Sequence, residues 1–286
     1  MNPIDVEPIV AADRPRRIRQ RHRSIAAPHP SASMRPSARR TRKESAMPRT
    51  RPAIATNRLL AALSKPDQRR LLAQCDLVEL VAGDVLHEAG TAMRHVYFPV
   101  GSFISLVTPL DACAGLEVTL VGSEGMVGDC VLLDVPVSPL RHLVQGSGGA
   151  WRLPATAFRR ELVRSPALRR RLDRNAYVKM HQIAQTAACI RYHVVEERLA
   201  RWLLMRHDRA LGDEFQATHE FLAYMLGVRR VGITQAATSL QKQSLISYFR
   251  GGITILDRRG LEALSCACYF AGNDLYDRTL GRVSRR

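Results

Sequence analysis

Residues 218–230 read Thr218-His219-Glu220-Phe221-Leu222-Ala223-Tyr224-Met225-Leu226-Gly227-Val228-Arg229-Arg230, and the character of the C-terminal third follows from them. Thr218 is an N-cap residue type, and Glu220 in the first turn suits the positive end of a helix dipole. Leu222, Met225 and Leu226 make one apolar face. The helix predicted over 218–226 ends at Gly227, where a tight turn requires positive φ. A second helix begins near Arg229, with Ile233, Ala236, Ala237 and Leu240 at helical spacing. Two short helices about a glycine turn form a helix-turn-helix, although an ordinary helical hairpin shares that pattern. The segment directly behind it separates the two. Leu245-Ile246, Tyr248-Phe249, Arg250-Gly251-Gly252 and Ile253-Thr254-Ile255-Leu256 read as two strands about a glycine turn, a hairpin wing with Arg250 at its tip.

The exposed face of the second helix is expected to carry Arg229, Arg230, Thr234, Gln235 and Ser239. Arg can make paired hydrogen bonds to guanine and Gln to adenine in the major groove, so these positions are candidate base readers. Gln241, Lys242 and Arg250 are candidate phosphate contacts. Double-stranded DNA is therefore the expected partner. The whole chain agrees in sign: over 286 residues the formal net charge is +17, which favours a polyanion.

Upstream, Val195 to Asp208 is predicted as a helix with Leu199, Trp202, Leu203 and Met205 on its apolar side. Before it, Ser165-Pro166 looks like an N-cap followed by Pro at the first helical position. Ala176, Met180, Ile183, Ala187, Ile190 and Val194 then recur at spacings of four and three, the seam of two paired helices. The expected dimer interface is Ala176, Met180, Ile183, Ala187 and Ile190; a single helix packed on its own domain would be the alternative. From Leu77 to about Leu153 short Val-rich runs are cut by Gly83, Gly90, Gly101, Gly122, Gly125 and Gly128, indicating antiparallel strands in a sandwich or roll. Asn57 to Gln74 opens as helix, broken at Ser64-Lys65-Pro66-Asp67.

The expected fold class is thus α+β, divided as a basic tail (1–53), a β-roll or jelly-roll sensor domain (54–163), a long dimerisation helix (164–194), a winged helix-turn-helix domain (195–275) and a basic C-terminal tail (276–286). Residues 1–50 contain twelve Arg or Lys against four Asp or Glu and no aromatic residue, a composition unable to bury enough surface to offset chain entropy. The tail is either a basic arm that touches phosphates or a solvated segment ahead of a true start at Met34 or Met47.

Several classes are excluded. No run of about 18 apolar residues is present, so no membrane partner is expected. The six cysteines (Cys75, Cys113, Cys130, Cys189, Cys266, Cys268) are scattered, and the close pair Cys266 and Cys268 is not by itself a zinc pattern. Reduced structural thiols in a cytoplasmic protein, with no metal, are the expectation. No nucleophile elbow, P-loop, HExxH or suggestive carboxylate pair points to an enzyme. A protein-binding winged helix is a further class, disfavoured by the basic recognition face.

In the order β domain, seam helix and winged helix-turn-helix, residues from about 54 to 270 resemble the Crp/Fnr family of bacterial transcription regulators. The resemblance is strongest over 218–230 and weaker over the glycine punctuation, which is similar to that family's cyclic-nucleotide-binding roll. It implies a homodimeric DNA-binding regulator, with RNA polymerase as a further partner. The family's base-reading positions fall on Arg230, Val231 and Gln235; Arg230 matches, while Val231 stands for a common Glu and Gln235 for a common Arg. The candidate effector pocket comprises the turn Gly125-Met126-Val127-Gly128 and Arg141. This turn lacks the ribose-binding carboxylate of cyclic-AMP-binding members, and Leu140-Arg141 fall where the cyclic phosphate would be held. A bound cyclic nucleotide is therefore an alternative, and no cofactor is the expectation. The cysteine cluster of oxygen-sensing members is lacking.

Overall fold

A computed structural model describes residues 57–110, 115–210 and 212–281. Residues 282–286 and nearly all of the expected basic arm lie outside the described residues.

The opening helices form as their caps dictate. Asn57 accepts the N–H groups of Leu59 and Leu60 at 3.1 and 3.4 Å to start α1 (Arg58–Ala61). Ser64 accepts from Asp67 to start α2 (Lys65–Leu72), with Pro66 in the first turn. Strands β1 (Asp76–Leu80), β2 (Val85–His87), β3 (His95–Pro99), β4 (Phe103–Pro109) and β5 (Gly115–Val121) follow. After α3 (Asp129–Leu132) come β6 (Arg141–Gly146) and β7 (Gly148–Pro154). They build two antiparallel sheets, ordered β1-β7-β3 and β2-β6-β4-β5, which close as the expected roll. Phe103 to Val107 are buried without alternation. The reason is that β4 is covered on both faces: Ile104 and Leu106 pack inside the roll, whereas Val107 joins the core of the C-terminal domain.

Helix α4 (Ala155–Arg164) leads into α5 (Pro166–Tyr192), capped by Ser165, which accepts from the Leu168 N–H at 3.2 Å. At 1.5 Å per residue, α5 is about 40 Å long. Its inner face buries Leu168, Leu172, Val178, Lys179 and Cys189. Its outer face leaves Met180 68% and Ile183 39% exposed, with Ala187 exposed beside them and Ala176 and Ile190 half-buried.

The C-terminal part runs α6 (Val195–His207), β8 (Glu214–Gln216), α7 (His219–Leu226), α8 (Arg230–Lys242), β9 (Ile246–Phe249), β10 (Gly252–Ile255), α9 (Arg258–Leu264) and α10 (Cys268–Leu280). Its core joins Leu199, Leu203, Leu222, Ile233, Ala237, Leu240 and Ile253. Arg258 closes a polar network behind that core. It bonds His207 Nδ1 at 2.9 Å, Asp208 at 2.6 Å and the Tyr269 hydroxyl at 2.8 Å, while His207 Nε2 meets Asp213 at 2.7 Å. Sequence spacing had suggested a surface or cap position for His207; it is buried instead.

The chain's end differs from expectation. A tail was expected from residue 276, but α10 continues to Leu280, with Tyr276 and Leu280 buried. These residues lie four apart on one helix face and join the core beneath α5; the Tyr276 hydroxyl donates to the Glu124 carbonyl at 2.8 Å. Basic residues near the terminus hid this apolar face.

Candidate nucleic-acid interface

The helix-turn-helix is assembled by the local signals that predicted it. The Thr218 hydroxyl accepts the Phe221 N–H at 3.1 Å, and Gly227 closes α7 in the left-handed region at φ 61. A side chain at Gly227 would also meet Leu116 Cδ1 at 3.1 Å. Arg229 stands at the N-cap of α8 with extended backbone and supplies no side-chain cap. The inner face of α8 buries Ile233, Ala236, Ala237 and Leu240.

Its opposite face is open. Arg229, Arg230, Val231, Thr234 and Gln235 are exposed, as is Lys242 in the last turn. The structure differs from expectation at Ser239: it is half-buried and donates to Glu196 Oε1 at 2.9 Å, which fastens α8 to the start of α6. Gln241, one of the candidate phosphate contacts, reaches the Tyr248 carbonyl at 3.3 Å and joins α8 to the wing.

The wing is a two-residue hairpin in which Phe249 pairs with Gly252. Arg250 and Gly251 both have positive φ, 49 and 82, as a twist-matched tight turn needs. Arg250 is exposed at the tip, its guanidinium carbon 5.1 Å from the Phe249 ring centre. The sheet has a third strand that sequence patterning missed: β8 pairs with β10 on the side away from β9.

Sequence reasoning also missed how His219 orders this surface. Its ring stacks on Tyr248 at 4.5 Å between centroids, and its Nδ1 lies 3.1 Å from the Thr234 hydroxyl. Thr234 donates to the Arg230 carbonyl at 3.1 Å, so it accepts from an Nδ1–H of His219. Burial, then the Arg230 charge, hold the His219 pKa below the usual histidine value, so the ring is neutral at pH 7. Thr234 is thereby held in one rotamer beside Arg230.

The winged unit locks to the roll at Arg206. Its guanidinium donates to Gln145 Oε1 at 2.9 Å, to the Gln145 carbonyl at 3.1 Å and to the Gln216 carbonyl at 3.4 Å. It also lies over the rings of Phe215, Trp202 and Phe103, at 4.7, 5.3 and 5.5 Å. Nearby, Glu117 is fully buried and accepts from the Ser105 hydroxyl; burial pushes its pKa up to about 7.

The expected effector turn is filled from within. Met126 and Val127 are 0% exposed, and Gly128 has φ 117. Asn57 donates to the Gly125 carbonyl at 2.7 Å, Lys179 of α5 to the Met126 carbonyl, and the Tyr97 N–H to the Val127 carbonyl at 2.9 Å. Lys179 also pairs at 2.7 Å with Asp129, the carboxylate that directly follows the turn. Arg141 pairs with Glu88 at 3.1 Å, both side chains partly exposed.

A roll, a long helix and a winged helix-turn-helix with an open basic face define a DNA-binding transcription regulator as the class of protein. Residues 197–264 match the model of the Crp-like helix-turn-helix domain. Among solved structures, a Crp/Fnr-family regulator from Eubacterium rectale is similar with a TM-score of 0.59 at 18% identity, covering 72% of this chain and 96% of its own. A CRP-family regulator from Thermus thermophilus is similar with a TM-score of 0.56 at 18% identity, over 66% and 96%. The c-di-GMP-responsive global regulator CLP of Xanthomonas campestris is similar with a TM-score of 0.56 at 13% identity, over 68% and 100%. No curated protein matches the chain in sequence. Similar in sequence over its DNA-binding domain and in fold beyond it, the chain is a Crp/Fnr-type transcriptional regulator.

Proposed function

We propose that the chain acts as a homodimer that places two α8 helices in successive major grooves of a near-palindromic duplex site. The observation that carries this reading is the open face of α8, with Arg230, Thr234 and Gln235 exposed and the wing tip Arg250 fastened to the same unit. Arg230 and Gln235 supply base discrimination, while Arg229, Lys242 and Arg250 supply salt-dependent phosphate affinity. Thr234 keeps Arg230 and His219 in register. The outward stripe Met180, Ile183 and Ala187 on α5, continued by half-buried Ala176 and Ile190, supports the dimer: apolar side chains of this size at heptad spacing are what a second α5 would cover.

The roll serves as sensor or scaffold in this reading, with RNA polymerase as a further contact of the bound dimer. The Lys179 tether supports a sensing role, because it ties the 125–128 turn to the dimer helix. A cyclic-nucleotide-gated form of the same architecture would have to displace Met126 and Val127 and free Arg141 from Glu88. Among the described residues no helix is long and apolar enough to cross a membrane.

Selection from a random duplex pool at near-physiological salt tests the proposal with the full chain. The expected product is a two-fold symmetric motif with half-sites one helical turn, about 34–36 Å, apart. Recovery of no motif, with binding that only fades as salt rises, would overturn it. Repeating the selection with cyclic AMP separates the gated form.

A further inference from the structure

Cysteines that look scattered along the chain meet in space. Cys189 lies near the end of α5 and His193 is its C-cap residue, four positions later, so both share one helix face. Cys266 and Cys268 come from the turn between α9 and α10. The Cys189 and Cys266 sulfurs are 3.5 Å apart, and Cys268 Sγ is 3.5 Å from His193 Nδ1. All four ligand atoms lie within 4.8 Å of one another. The three cysteines are at most 5% exposed and form a cluster of their own, separate from the apolar cores.

We propose that Cys189, His193, Cys266 and Cys268 hold a single tetrahedral, thiophilic divalent cation, zinc by its chemistry. Zinc–sulfur bonds of about 2.3 Å put neighbouring ligand atoms of a tetrahedron about 3.8 Å apart, close to the separations found. Three thiolates and one imidazole form a standard structural donor set for this ion. A two-iron cluster would need its ligand pairs spread by the length of its metal core, whereas these four atoms all face one point.

The surroundings suit the charge. Three thiolates around a divalent ion leave one net negative charge, and buried Arg198 and Arg201 line the same small cavity as Cys189. The Nε of Arg201 has no hydrogen-bond partner, and its positive charge acts on Cys189. Gln185 adds a donor, its Nε2 2.9 Å from Cys268 Sγ. On binding, each thiol that still carries its proton releases it and each sulfur donates a lone pair to the ion, with no change of oxidation state. The imidazole ligates through Nδ1.

The place in the fold gives the ion its effect. It would clamp the end of α5, and the bend at His193 that leads into α6, to the α9–α10 turn. The direction in which the winged unit leaves the dimer helix would then depend on the metal.

The test uses the full chain purified under reducing conditions. Elemental analysis is expected to give one zinc per chain, and cobalt exchange to give sulfur-to-cobalt charge transfer with the visible bands of a tetrahedral thiolate centre. Cys189→Ser and Cys268→Ser should each weaken metal affinity at least tenfold, while Cys75→Ser and Cys130→Ser keep the stoichiometry. Should either ligand variant fail to fold, the cobalt spectrum of the unaltered chain decides. A reduced chain that retains no zinc after dialysis and gives no cobalt band would overturn the proposal. So would a Cys189–Cys266 disulfide whose reduction restores no metal binding, or iron and sulfide in two equivalents each.

Discussion

Replacing Arg206 by Ala should uncouple the roll from the winged unit. The substitution removes donors from Gln145 Oε1, the Gln145 carbonyl and the Gln216 carbonyl, and it empties a space bounded by Phe103, Trp202 and Phe215. Hydrogen bonds from a charged donor contribute roughly 1.5–3 kcal/mol each, and a desolvated cation over an aromatic ring about 2 kcal/mol. These terms do not add in full, because burial itself opposes the charge and pulls the Arg206 pKa down to about 10. Removing one partner of a buried charged network costs about 3–5 kcal/mol, and that range is the expectation here. With a urea slope of about 1–3 kcal/mol per molar, the midpoint should fall by at least about 1 M. Tryptophan fluorescence and far-ultraviolet circular dichroism, coincident in the unaltered chain, should then separate into two transitions. Arg206→Met, which keeps much of the volume, should recover part of the loss. A loss below about 1 kcal/mol, with the probes still coincident, would refute the assignment of Arg206 as the lock.

Four further outcomes follow from the same geometry. Gly227→Ala places a Cβ at φ 61 against Leu116 and should cost about 1–2 kcal/mol of thermal stability, measured by calorimetry. Arg230→Ala should lose about 1–3 kcal/mol of affinity for the selected site and relax one base position, read by competition with mismatched duplexes. Glu117 is held neutral by burial, so its contribution to stability is fully present below about pH 4.5 and is lost as pH rises through about 7; Glu117→Gln should remove a pH-dependent component on the order of 3 kcal/mol over that window. Met180→Glu combined with Ile183→Asp should convert a dimer into monomers in sedimentation, and an unchanged mass would sink the seam assignment.

What was legible in the sequence was what local chemistry specifies. Thr218, Gly227 and the apolar spacing of α8 each act within a few residues, so the helix-turn-helix appeared with its ends nearly in place; the Arg250-Gly251 turn did the same for the wing. Glycine punctuation gave the roll but not the pairing of its strands, which depends on partners tens of residues away. Strand β8 is too short for alternation to register. Ser239 has helical spacing compatible with the open face, and only the position of Glu196 on another helix turns it inward. The four candidate metal ligands were hidden for a related reason: Cys189 and Cys266 are separated by 77 positions, so no spacing rule could join them.

Lys179 and Met180 are adjacent on α5, yet one ammonium is sunk against the 125–128 turn while the next side chain looks outward. If that outward face meets a second chain, a message from the roll has no long route to travel. It crosses the thickness of one helix. A shift of the turn that Lys179 must follow would rotate Met180 in the opposite sense, so the roll could retune the grip between subunits without any rearrangement of its own sheets.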